Sequence, residues 1–343
     1  MKSKALVLIF SVACTGVMAQ NALFLHHSTG GNVFYEGNVG EYFMEYNDSQ
    51  AKSYQITERA YPDSPYPWEN YPYDYWNLWV NHACDNSNEN IMCLDGMTLQ
   101  YDVIILKHCF PGAGLEAGNG EAEVNSPVKT LANYKLQYNA LLSMMDQYPG
   151  TKFIVWTLAP LHRNATNSEQ AGRAYEFVQW VKDAWLLEDG KDHPNVYIFD
   201  FFSLAAEMDP NPVNGAQYCL KYDYEGDHEG SDSHPNTLAN ETIGPVFAQF
   251  VIDVIEGPST ASADPESENP SVRMMQKSAD GNLIFTGRTE SIRSVDFFTL
   301  TGAKVFSVTG QVQHINANTL HQGIYLVQVN CNSEKLHYKV FIQ

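Results

Sequence analysis

"LFLHHSTGGN" (residues 23–32) is a short apolar run that breaks abruptly into two histidines, a serine and two glycines. A strand covered on both faces reads as a brief, almost unbroken apolar run, not as strict alternation. The same grammar extends this run to "ALFLHH" (22–27) and recurs in "YDVIILKH" (101–108), "KFIVWTLAP" (152–160) and "NVYIFDFF" (195–202). Between these runs, apolar residues fall at helical spacing. Leu131, Tyr134, Tyr138, Leu141, Leu142 and Met145 form one such face, stopped by Pro149-Gly150; Ala171, Ala174, Phe177, Val178, Val181 and Trp185 form another. A last helix, "TLANETIGPVFAQFVIDVI" (237–255), is expected to bend at Gly244-Pro245, and "AKSYQIT" (51–57) offers one more strand. This alternation predicts an α/β domain, a doubly wound and mainly parallel sheet flanked by helices.

The ends of the chain have other compositions. Residues 1–19 carry Lys2 and Lys4, an apolar stretch and small residues before Gln20, the pattern of a cleavable export leader. No other stretch approaches the length of a bilayer span, so the mature chain is expected to be soluble and exported. The formal charge of the whole chain is −20; without the leader it is −22, from 18 basic against 40 acidic side chains. Such a balance argues against nucleic acid and anionic membranes as partners. Five cysteines follow the leader; Cys84 and Cys93 can close a small loop, Cys109 is a candidate partner for Cys219, and the odd count leaves one thiol free. Residues 256–273, "EGPSTASADPESENPSVR", have the composition of a linker between a large domain (20–255) and a tail (274–343). The tail alternates apolar and polar residues about a Thr301-Gly302 turn and reads as a small antiparallel β-sandwich.

Residues 61–79, "YPDSPYPWENYPYDYWNLW", fit no regular element. They read first as a packed structural insert and alternatively as a rim of rings along a cleft for sugars.

In an open parallel sheet, ligands gather where strands end at their carboxyl edge. Ser28 stands there, followed by Thr29-Gly30-Gly31-Asn32, a turn whose amides can point inward. A serine activated by an imidazole and faced by N–H donors has the parts for acyl transfer. The imidazole is expected from "HEGSDSHPN" (228–236), where His234 follows Asp232 and leads into the last helix. Of the paired histidines, His26 reads as a hydrogen-bonded core residue, and His27 as either structural or orienting the serine turn. Lys107 and His108 end the second apolar run at the same edge, where substrate contact and a buried hydrogen-bonding role are both open.

In order and layout, residues 21–255 resemble the SGNH (GDSL-type) esterase and lipase superfamily, with its flavodoxin-like doubly wound sheet. The resemblance implies a serine esterase with Ser28 as nucleophile, His234 as base and Asp232 as orienting acid, Asp227 or Glu229 standing as substitutes. It implies oxyanion or substrate contacts from among Gly30, Gly31, Asn32, Lys107 and His108, Gly96 as the second-block glycine, and no metal or organic cofactor. The chain departs from the family's Gly-Asp-Ser with His26-His27-Ser28, and "LKHCFPGAG" (106–114) lacks the family's asparagine. Export, acidity and the aromatic insert make an acylated glycan the expected ester substrate. Two rival readings are a non-catalytic carbohydrate-binding or adhesion protein on the same scaffold, and a zinc site drawn from His27, His108, Asp227, His228, Asp232 and His234.

The tail, through "VDFFTLTGAKVFSV", "INANTLHQGIYLVQV" and the terminal "KVFIQ", resembles the type A C-terminal sorting domain of the type IX secretion system. That implies passage through periplasm and outer membrane by way of the type IX machinery, to the medium or the cell surface.

Overall fold

The computed structural model describes residues 20–118, 120–257 and, with short breaks, 272–342. The expected leader, residues 258–271 of the expected linker and the Thr301-Gly302 turn lie outside the described residues. The chain divides into two compact units, Met1–Ser259 and Thr260–Gln343.

In the first unit five strands, β1 (Asn21–His26), β2 (Gln55–Ala60), β3 (Val103–Leu106), β4 (Lys152–Trp156) and β5 (Val196–Phe199), pair in parallel in the order 2-1-3-4-5. Among the described residues eight α-helices accompany them: α1 (Thr29–Glu36), α2 (Val39–Gln50), α3 (Pro72–Tyr75), α4 (Leu94–Thr98), α5 (Leu131–Met145), α6 (Ser168–Asp183), α7 (Phe201–Ala205) and α8 (Thr237–Glu256). Successive strand residues enter different cores. Leu23 and Leu25 of β1 join Tyr138, Leu141 and Phe177, whereas Ala22 and Phe24 join Phe247 and Val251. Burial on both faces is why these strands read as unbroken apolar runs.

The order places β1 between β2 and β3, so the chain leaves β1 to one side for β2 and then crosses back past it to β3 on the other. A crevice at the carboxyl ends of β1 and β3 is the switch point of such a sheet. His26, His27 and Ser28 emerge on one side of it, Lys107, His108 and Cys109 on the other.

Several elements differ in extent from the sequence expectation. Phe201 and Phe202 belong to α7 instead of a strand, because Asp200 caps the helix by accepting the Ser203 N–H at 3.2 Å. The aromatic insert is partly helical, through α3 and a wide turn at Trp76–Val80 in which Asn81 N–H donates to Trp76 O. Tyr61, Tyr71, Tyr75 and Trp79 are buried in the main core, which makes most of the insert structural. Helix α8 runs unbroken through Pro245, and Gly244 serves close packing: a Cβ there would lie 2.5 Å from Gly37 Cα. By length and composition α8 could cross a membrane, contrary to the expectation that no such stretch follows the leader, yet Ile243, Phe247, Val251 and Ile252 of this helix are buried in the core. Cys84 and Cys93 form the expected disulfide; Cys109 and Cys219 do not bond and are both buried free thiols.

The second unit is antiparallel. Strands β6 (Val272–Lys277), β7 (Asn282–Gly287) and β10 (His314–Asn316) make one sheet in the order 10-7-6. Strands β8 (Ile292–Phe298), β9 (Lys304–Thr309), β11 (Gly323–Cys331) and β12 (Lys335–Ile342) make another in the order 12-11-8-9. Leu283, Phe285 and Ile315 of the first share one core with Val295, Phe297, Val327 and Val329 of the second.

Candidate active site

Ser28 is the exposed residue between β1 and α1, with φ 28° and ψ −88°, a conformation that L-residues rarely adopt. It occupies the N-cap position of α1 but makes no capping bond. Its Oγ lies instead 2.9 Å from Cys109 Sγ, across the crevice at the end of β3. A serine cap contributes roughly 1 kcal/mol to a helix, so this arrangement forgoes local stability to hold the hydroxyl outside the helix.

The expected turn at 29–32 is the first turn of α1 itself. Its amides are not equivalent. Gly30 N–H donates to His27 O and Asn32 N–H to Ser28 O, both at 2.9 Å. Among the described residues no backbone carbonyl takes the N–H of Ser28, Thr29 or Gly31. Gly30 is therefore not a free donor, and its lack of a side chain serves space: a Cβ there would stand 2.4 Å from His26 Cβ and 3.0 Å from Lys107 Cδ. Asn32 lies half-buried, further into α1.

His234 precedes α8, whose N-cap Asn236 accepts the Ala239 N–H. Its Nδ1–H donates to Asp232 Oδ1 at 2.6 Å, and its backbone N–H donates to the same oxygen at 3.1 Å. Partial burial opposes ionisation of Asp232, but the two bonds from His234 outweigh it and hold the carboxyl below its usual range. With Nδ1–H so engaged, Nε2 carries the lone pair. The ring stands edge-on to Phe110, centroids 4.8 Å apart. Thus Ser28 touches Cys109 and His234 touches the next residue, Phe110, while no hydrogen bond joins Ser28 to His234 among the described residues. Asp227 is occupied in its own turn, accepting the Glu229 N–H at 3.0 Å.

The other candidates are drawn inward. His108 is fully buried, with Nε2 bonded to Tyr138 OH at 2.9 Å, and burial pushes its pKa down to about 3. That is a structural role. Lys107 is fully buried too, and its Nζ has no hydrogen-bond partner among the described residues. Burial lowers its pKa to about 8. His27 donates to Pro62 O at 2.6 Å and stacks on Trp68 at 3.4 Å, fastening the aromatic insert beside Ser28. His26 Nε2 pairs with Glu58 at 2.9 Å, but its Nδ1 is unpartnered. Gly96, in α4 ahead of β3, lies toward the opposite edge of the sheet, packed against Asn86.

One cluster escapes sequence reasoning. Glu225, with a fully buried side chain, meets Arg163, His228 Nδ1 at 2.9 Å and His162 Nε2 at 3.3 Å. Ser233 Oγ accepts the His162 N–H at 2.9 Å, which ties this cluster to the loop carrying His234. Glu225-x-x-His228 is the local spacing that could have revealed it. The proximity of Cys109 to Ser28 would follow only once β3 is known to neighbour β1. The residues of the zinc reading are engaged separately, on Pro62, Tyr138, Glu225 and Asp232, and among the described residues no group of three or more ligand side chains gathers to hold a metal.

Residues 278–343 match the family described as the secretion system C-terminal sorting domain. The tail is thus a type IX sorting domain, and the chain is exported, to be secreted or attached at the cell surface. No curated protein matches the chain. Among solved structures, one from Streptococcus pneumonia, provisionally named a platelet activating factor, is 13% identical over 70% of this chain and 86% of that one, with a TM-score of 0.36. Another, a carbohydrate esterase described as having divergent catalytic and non-catalytic binding functions, is 12% identical over 68% of each chain, with a TM-score of 0.32. An endo-beta-1,4-mannanase from Cellulomonas fimi reaches 10% identity over 90% of this chain and 58% of that one, at a TM-score of 0.22.

Proposed function

We propose that the first unit is a serine esterase of the SGNH type on a flavodoxin-like sheet, delivered by its sorting domain to act on acylated glycans outside the cell. The observation that carries this reading is the pairing of His234 Nδ1 with Asp232 at 2.6 Å, on a ring that stands against Phe110, the neighbour of the Cys109 that meets Ser28. That pairing fixes the tautomer a general base needs. The exposed serine at the switch point, with free amides at the N-terminus of α1, supplies the rest.

Ser28 Oγ leaves Cys109, gives its proton to His234 Nε2 and bonds to the ester carbonyl carbon, whose oxygen takes the electron pair. The amides of Ser28, Thr29 and Gly31 face the resulting oxyanion. The C–O bond to the alcohol breaks, and the leaving oxygen takes the proton from His234. Water then repeats the sequence on the acyl-enzyme, releasing the acid and restoring Ser28. Asp232 stabilises each imidazolium. Trp68, held half-exposed against His27, supports a sugar as the alcohol half.

The test is release of acetate from p-nitrophenyl acetate and acetylated glycans by the purified chain and by Ser28→Ala. Activity and fluorophosphonate labelling that vanish together in the variant support the reading; full activity in Ser28→Ala ends it. A second reading, a non-catalytic glycan-binding protein, is favoured by the bond that turns Ser28 to Cys109 rather than to His234. It predicts glycan binding with no turnover and no labelling.

A further inference from the structure

A lysine with no exposed surface and, among the described residues, no hydrogen-bond partner is the least expected group in the first unit. Burying an unpaired ammonium is costly, and replacement by an apolar residue would relieve the cost. Its surroundings suggest what the charge does.

Lys107 follows β3 as His26 ends β1, and Lys107 N–H donates to Leu25 O at 3.2 Å, so the two side chains are lateral neighbours. Both run beneath the first turn of α1, meeting the spot where Gly30 lacks a side chain: His26 Cγ is 2.8 Å from it and Lys107 Cδ 3.0 Å. Nζ, two bonds further along, remains close under that turn. Three buried polar atoms of these residues and of Thr29 have no hydrogen-bond partner among the described residues: Lys107 Nζ, His26 Nδ1 and Thr29 Oγ1. Glu58 fixes the character of one of them. Its carboxylate takes the His26 Nε2–H at 2.9 Å, which leaves Nδ1 as a lone pair and a natural acceptor for the ammonium.

The charges around Lys107 do not balance it. His26 and His27 face it from β1 and the residue that follows, and His108 and Cys109 from its own loop, while Glu58 on β2 reaches it only through His26. Helix α1 has no acidic residue in its first turn, and its N-terminus adds partial positive charge. A recess so short of negative charge favours an anion formed directly above it.

We propose that Lys107, oriented through His26 and Glu58, is a positioning residue that places a buried positive charge under the first turn of α1 and so favours oxyanion formation at Ser28. The inference rests on the esterase reading. Lys107 touches no substrate; it acts through the helix turn, which distinguishes it from a direct oxyanion donor.

The experiment measures p-nitrophenyl acetate hydrolysis from pH 6 to pH 10 for the full chain, Ser28→Ala, Lys107→Met, Glu58→Gln and the double variant, with thermal melts to verify folding. Wild-type kcat should fall as the pH rises through about 8, where Lys107 loses its proton. Lys107→Met should lower kcat at neutral pH by about 10- to 100-fold with KM little changed, and should lack the alkaline fall. Glu58→Gln should lower kcat severalfold, and the double variant should be no worse than Lys107→Met. A folded Lys107→Met with wild-type kcat and the same alkaline limb, or additive effects of the two substitutions, overturns the proposal while Ser28→Ala is dead. A wild-type profile with no fall near pH 8 overturns it without any variant. Should Ser28→Ala remain active, the esterase reading fails and the proposal with it.

Discussion

Ser28 Oγ and Cys109 Sγ lie 2.9 Å apart, joining the second residue beyond β1 to the third beyond β3. The thiol occupies the hydroxyl in the resting state, so attack on an ester requires that bond to break. A neutral hydrogen bond of this kind is worth roughly 1 kcal/mol, or about fivefold in an equilibrium. Cys109→Ala should therefore speed fluorophosphonate labelling of Ser28 by up to about fivefold, read as a second-order rate. A large loss of labelling would mean that the thiol guides the serine instead of restraining it.

The acid partner offers a sharper test. Asp232 is largely exposed, with 70% of its side chain accessible, so its contact with His234 is partly screened. Asp232→Asn should lower kcat by about 10- to 100-fold, less than the loss expected for a buried triad acid. Because His234 holds the Asp232 carboxyl below its usual range, the acid stays charged as pH falls from 7 to 5. Any acid limb in that window belongs to another group, and it should survive, scaled down, in Asp232→Asn. A variant with wild-type kcat would remove Asp232 from the proposed mechanism.

Beneath that loop, Glu225 joins Arg163, His162 and His228 with no exposed side-chain surface. Breaking a buried ion pair from one side leaves the partners' charges unmatched, at a cost of about 3–5 kcal/mol. Glu225→Gln should lose stability on that scale in urea unfolding, and ester hydrolysis should fall because His162 no longer anchors Ser233 next to His234. A melt unchanged from wild type would show that the cluster carries no structural load.

How much of this was legible in the sequence depends on the range of the interaction. Strands β1, β3, β4 and β5 are readable because burial on both faces leaves long apolar runs, and α5 and α6 because one face repeats at helical spacing. The Cys84–Cys93 bond spans only nine positions. Contacts across the sheet are different in kind. Ser28 and Cys109 are 81 positions apart, and Arg163 and Glu225 62 apart, so only the strand order brings them together. Gly30 and Gly244 look like flexible points in a sequence, yet both are glycine because backbone or a strand side chain lies where a Cβ would go. Their space requirement belongs to the packed state and leaves no local mark.

Lys107 also has a consequence for stability. Burial lowers its pKa to about 8 in the folded chain, against 10.5 for the free side chain. Between those values the unfolded chain binds more protons than the folded one, so this group makes stability rise with pH across the window. Below about pH 8 the full penalty is present, of order 3 kcal/mol from the size of the shift. Lys107→Met retains the volume and removes the charge, so at pH 7 it should unfold at higher urea, by about 3 kcal/mol. The difference from wild type should shrink as pH rises toward 9.5. Comparing the two chains at each pH cancels the buried tyrosines, among them Tyr61 and Tyr134, whose raised pKa values act in the opposite sense above pH 10. A Lys107→Met chain that is both less stable and equally pH-dependent would mean that the ammonium finds a partner which compensates its burial, and the recess beneath α1 would then hold no excess of positive charge.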